Sequence, residues 1–149
     1  MPVQVDDAGG LQPAGPLQAG ESYTVVSERP AARSGALREA GTDYPDDVEE
    51  RYTQLPSSSP ERVAERTDRL TANAENPYDT ARVVERYLEN NYAYSLDVER
   101  PRGDIADRFL FEMDAGYCTY FATTMAVMLR TQGIPTRFTV GYTPGERVG

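Results

Sequence analysis

The sequence predicts an α+β fold, and three observations carry that expectation. Two segments between Ser59 and Asn91 each open on a proline and then repeat apolar residues at helical spacing. A third segment, from about Cys118 to Gln132, carries no charged side chain as far as Leu129 and stops at Gly133-Ile134-Pro135. Directly after it, Thr136–Tyr142 places Phe138, Val140 and Tyr142 on one face, which is the period of a strand.

The elements follow in order. Residues 1–20 repeat Gly, Pro and other small residues and read as loop. Glu21–Ser27, with Tyr23, Val25 and Val26, reads as one strand. Ala31–Asp47 is a connector with a helical turn. Asp47–Tyr52 is a short helix, and Leu55–Pro60 a linker. The first long helix starts with Ser59 as N-cap and Pro60 in the first turn, where a missing N–H costs nothing, and carries Val63, Thr67 and Leu70. Asn76-Pro77 repeats the start signal, with Asp79 in the favourable first turn. Ala81, Val84 and Leu88 then form a stripe with Tyr87 beside it.

Tyr92–Leu96 alternates as a short strand, and Asp104–Glu112 is a short apolar helix. In the Cys118–Gln132 helix, Phe121, Ala122, Met125, Ala126, Met128 and Leu129 cover most of the circumference, which predicts burial all round. Gly133 suits the left-handed position after a helix, and Pro135 forbids continuation. The domain organisation expected is an irregular segment over 1–43, the edge of an upstream β domain, then a linker over 44–60 and the main core over 61–149.

Composition excludes several functions. The net charge is -9, from 24 acids against 15 bases, and every base is an arginine. Such a surface repels phosphate backbones, so no nucleic-acid partner is expected. An acidic chain without lysine or tryptophan has the composition of a salt-adapted source, as in halophilic archaea. One cysteine and no histidine exclude an internal disulfide and a zinc site. No metal or cofactor is expected. The longest apolar run, Phe121–Leu129, is too short to span a bilayer, and the N-terminus has no signal-peptide pattern. The chain as given therefore reads as soluble, without membrane contact of its own.

The chemistry centres on Cys118, at the start of the charge-free helix. A thiolate attacks carbonyls and a thiol hardly does. A helix N-terminus favours an anion by up to about 2 kcal/mol, and pairing with imidazolium goes much further. The missing histidine therefore outweighs the helix. The free N–H groups of the first turn suit an oxyanion hole. From spacing alone, a lone cysteine is more often a small core residue than a nucleophile.

The run from Gly116 to Arg130, then Gly133-Ile134-Pro135-Thr136-Arg137 and Val140-Gly141-Tyr142, resembles the nucleophile motif of the transglutaminase-like superfamily, in particular its membrane-anchored prokaryotic members. Asn76-Pro77-Tyr78-Asp79, Tyr87-Leu88, Tyr92, Tyr94 and Phe109-Leu110-Phe111 agree with it, and the likeness covers about residues 44–146.

The resemblance implies a papain-like core, with the nucleophile helix packed on an antiparallel sheet that is incomplete here. It implies that Cys118 is the catalytic nucleophile for acyl transfer to or from a protein or peptide: glutamine acyl transfer, deamidation or peptide hydrolysis through a thioester. The family's histidine and aspartate lie on strands after the cysteine helix, and the sequence ends before them. This chain is accordingly expected to be an inactive fragment of a membrane-anchored parent whose domain lies outside the cytoplasm. Tyr92 and Tyr94, and Tyr117 and Tyr120 beside the nucleophile, are candidate substrate-binding residues, with packing the preferred reading for each. Arg130 and Arg137 are expected to form ion pairs. The unfinished sheet edge offers a site of self-association. The alternative is a non-catalytic peptide- or protein-binding module with the same fold.

Overall fold

The computed structural model describes residues 3–5, 11–16, 18–20 and 31–140. The chain divides into two compact units, Met1–Ala31 and Ala32–Gly149. In the first, strands β1 (Val3–Val5) and β2 (Leu11–Pro13) pair antiparallel with Gln4 opposite Gln12. Turn-forming residues over 1–20 predict loop, whereas Val3–Val5 and Leu11–Pro13 pair as strands. The strand expected over Glu21–Ser27 lies outside the described residues.

The second unit is mainly helical. It holds α1 (Ser34–Glu39), α2 (Asp46–Tyr52), α3 (Glu61–Thr71), α4 (Pro77–Asn91), β3 (Ala93–Tyr94), α5 (Ile105–Glu112), β4 (Ala115–Gly116) and α6 (Cys118–Thr131). The α+β class holds. The helix starts have identifiable causes. Asn76 Oδ1 accepts the Asp79 N–H at 2.9 Å, while its amide donates back to the Asp79 carboxylate at 2.8 Å. Asp104 caps α5 by accepting the Asp107 N–H at 2.9 Å. Ser59 is not the cap of α3. Pro60 holds an extended ψ of 130°, which moves the helix start to Glu61 and leaves no side-chain cap.

Helices α3, α4, α5 and α6 enclose one core of Val63, Val84, Leu88, Phe109, Leu110, Tyr120, Met128 and Leu129. Thr67 and Thr71 point inward on α3 at no polar cost. Their hydroxyls donate to the carbonyls of Val63 and Thr67, one turn back, at 2.8 and 2.9 Å. Arg62 spans α3 and α5, donating to both Asp107 carboxylate oxygens at 2.5 Å, with its guanidinium 4.4 Å from the Phe111 ring centre.

The end of α6 is a two-bond reverse cap. Gly133, at φ 68°, donates to Arg130 at 3.0 Å, and Ile134 donates to Leu129 at 3.1 Å. Beyond it, residues 134–140 form no strand, and Tyr142 lies outside the described residues. The alternating pattern there has no neighbour to pair with among the described residues, so Phe138 and Val140 stay exposed. Thr136 instead donates to the Tyr52 carbonyl at 3.0 Å. Arg130 is not in an ion pair among the described residues. Its guanidinium donates to the carbonyl of Thr136, which the turn after α6 brings back to it, and to that of Gln54 in the segment between α2 and α3.

Candidate active site

Two short strands place the cysteine. Strand β3 follows α4 and β4 precedes α6. They pair in parallel through Ala93 N–H to Asp114 O, 2.8 Å, and Ser95 N–H to Gly116 O, 2.9 Å. This pair is distinct from the antiparallel sheet implied by the resemblance, which would be built from segments after α6. It brings the end of α4 to the start of α6.

Cys118 is the first residue of α6 and is exposed. The N–H groups of Tyr120 and Phe121 are both directed at the Tyr117 carbonyl, at 2.8 and 3.4 Å. Those of Cys118 and Thr119 have no acceptor among the described residues. An exposed sulfur beside free backbone donors is the arrangement that a nucleophile with an oxyanion hole requires.

The sulfur stands in a groove of about 540 Å³ between α4 and α6, lined by Glu85, Leu88, Glu89, Tyr92, Tyr94, Cys118, Phe121, Ala122 and Met125. Helix α6 is thus not buried all round. Its inner face is Tyr120, Thr124, Ala126, Met128 and Leu129, whereas Phe121, Ala122 and Met125 are only half-buried. The open face is legible in hindsight: positions 118, 121, 122 and 125 form one helical stripe that includes the sulfur. Glu85 and Glu89, the acidic lip, carried no signal of their own, since charged residues on a helix usually mark a solvated face.

The four tyrosines divide. Tyr92 and Tyr94 line the groove with Cys118. Tyr92 is also anchored: its ring lies 4.6 Å from that of Phe109, and its hydroxyl donates to the Leu110 carbonyl at 2.8 Å. Burial, together with the Tyr87 hydroxyl, raises its pKa well above the usual phenol range. Tyr94 is open to solvent, its ring stacked at 6.4 Å on Phe121. Tyr117 and Tyr120 are not among the groove residues. Tyr120 is buried with its ring 4.6 Å from that of Tyr117 and 5.9 Å from that of Phe109, and burial raises its pKa.

Gly116 sets the approach of this strand to the core. A Cβ placed there would stand 2.8 Å from Cε2 of Phe109 and 2.9 Å from Cβ of Tyr120. Only a glycine lets the chain pass that close before the cysteine.

The chain is similar to known proteins in sequence and in fold. The chain is 37% identical over 161 aligned residues to the uncharacterized protein YebA of Bacillus subtilis, covering 97% of this chain and 21% of that protein. It is 35% identical over 112 residues to a protein-glutamine gamma-glutamyltransferase of Pseudomonas aeruginosa, covering 74% of this chain and 16% of that protein. The chain thus spans about a fifth of the length of these curated relatives, or less. Its fold is similar to the crystal structure of the periplasmic domain of TgpA from Pseudomonas aeruginosa, with a TM-score of 0.56 and 29% identity, over 66% of this chain and 34% of that one. The same domain bound to ethylmercury gives a TM-score of 0.55 at 30% identity, over 66% of this chain and 35% of that one. Residues 64–148, more than half of the sequence, match the profile of the transglutaminase-like superfamily, and the chain belongs to that family.

Proposed function

We propose that this chain is the nucleophile-bearing part of a cysteine-dependent acyl-transfer enzyme, with Cys118 as the attacking residue. The observation that carries the reading is the exposure of Cys118 at the first position of α6, at the mouth of the α4–α6 groove. The thiolate adds to a carboxamide carbonyl. The resulting oxyanion is met by the free N–H groups of the first turn, the carbon–nitrogen bond breaks, and an acyl thioester remains on Cys118. An amine or water then takes the acyl group. Transglutamination, deamidation and peptide hydrolysis differ only in the bond attacked and in which acceptor arrives.

The leaving nitrogen needs a proton, and no imidazole exists in this sequence to hold one. This chain alone is therefore nearly inactive, and a longer parent supplies the base. That parent is a membrane-anchored protein with this domain outside the cytoplasm. Among the described residues, no helix is long and apolar enough to cross a membrane.

The test is to trap the thioester by mass spectrometry on a longer form of the protein that includes a histidine-bearing continuation, using a glutamine peptide as donor. A thioester on Cys118, abolished in Cys118→Ala, supports the reading. Turnover that persists in Cys118→Ala overturns it. The absence of histidine favours a second reading, a peptide-binding module with the same fold. A parent whose continuation carries no histidine, and which binds peptides without acylation, decides for that one.

A further inference from the structure

The α4–α6 groove is uniform in character. Its floor is Leu88, Phe121, Ala122 and Met125, its near end is the sulfur with Tyr92 and Tyr94, and its lip carries Glu85 and Glu89. No basic side chain is among its lining residues. The end of α4 meets the start of α6, because β3 leaves α4 where β4 enters α6 and the two strands are paired. The two helices also pack side by side, so they run in opposite senses along the groove. Along α4, then, Glu89 and after it Glu85 lie progressively further from the sulfur. Met125 is seven residues along α6 from Cys118, roughly 10 Å at 1.5 Å per residue. That length fits about three residues of extended peptide. Glu85 is shared with Arg82, whereas Glu89 has no ion-pair partner among the described residues.

We infer that the groove binds the stretch of acyl-donor polypeptide beside the attacked carboxamide, and that it selects an apolar side chain next to the reactive residue and a cationic one two or three positions away. The inference rests on the acyl-transfer reading of Cys118. The apolar floor gains by covering an apolar side chain. Glu89, aided by Glu85 as far as its pairing with Arg82 leaves it free, attracts a cation and repels acidic flanks, so selection works by exclusion as well as attraction. A second copy of this chain is a poor occupant, since it brings a net charge of -9 of its own to an acidic lip.

The test uses this chain as it stands. Second-order rates of Cys118 alkylation are measured with three aromatic chloroacetamides that differ only in a distal ammonium, neutral or carboxylate group. The cationic reagent is expected to react about threefold to tenfold faster than the anionic one at low salt. In Glu85→Gln/Glu89→Gln the ratio falls toward one. In Glu61→Gln/Glu65→Gln, which removes the same charge from exposed positions on α3, it persists. Equal ratios in the two double variants overturn the inference, as does a dimer in sedimentation whose Cys118 is protected. A thioester on the longer protein with no charge preference here would sink this inference alone. Charge preference here without any thioester there would sink the acyl-transfer reading and leave the groove's preference standing.

Discussion

Gly116 and Phe109 are in contact where a side chain on the former has no room, since its Cβ would stand 2.8 Å from the ring. Phe109 is fully buried at the centre of the core, and Gly116 lies two residues before Cys118. Gly116→Ala must therefore displace either the ring or the strand that presents the sulfur. We expect a loss of about 1–3 kcal/mol in urea unfolding and a changed rate of Cys118 alkylation. Wild-type values for both would mean that the strand stands further from the ring.

Cys118→Ala should behave in the opposite way. The sulfur is exposed and fills no core space, so the change in stability should stay within about 0.5 kcal/mol. A loss of 2 kcal/mol or more, on the order of a core truncation, would show the cysteine to be a packing residue.

Tyr92 lines the groove, but its hydroxyl is committed to the Leu110 carbonyl. Tyr92→Phe keeps the ring on Phe109 and removes that bond. The expected cost is about 1 kcal/mol, with Cys118 alkylation by neutral reagents unchanged. A large change in alkylation with no loss of stability would place the hydroxyl in the site's chemistry instead.

Acid should weaken the α3–α5 contact. The Arg62 guanidinium, through its hydrogen bonds, holds the Asp107 carboxyl below the usual carboxylate range, against the opposing effect of burial. The unfolded chain therefore takes up this proton first as pH falls. The stabilisation is fully present above the unfolded value of about 3.9 and is lost as pH falls through the lower folded value. Asp107→Asn should cost about 1–2 kcal/mol at neutral pH and flatten the decline of the urea midpoint below about pH 4. An unchanged acid slope would contradict the pairing.

Much of the unit from Ala32 onward is local in origin and could be read directly. Asn76-Pro77 starts α4, Asp104 starts α5, and Gly133-Ile134-Pro135 ends α6, because caps and reverse caps depend on residues within one turn of each other. The position of Cys118 at the head of α6 belongs to the same class. The open face of α6 does not. Phe121, Ala122 and Met125 are as apolar as the buried Ala126, Met128 and Leu129, and only the placement of α3, α4 and α5 decides which set is covered. The absence of a strand over residues 134–140 is equally non-local, since alternation gives a segment strand character but a ladder needs a neighbour.

By itself, then, the sequence determined where the helices begin and end, and that the lone thiol heads a charge-free one. Tertiary structure alone decided that the thiol is open, that Tyr92 and Tyr94 share its groove while Tyr120 turns into the core, and that two glutamates border it. These are contacts between α4, β3, β4 and α6, segments up to some forty residues apart, and their juxtaposition follows from how the core packs, which no local pattern encodes.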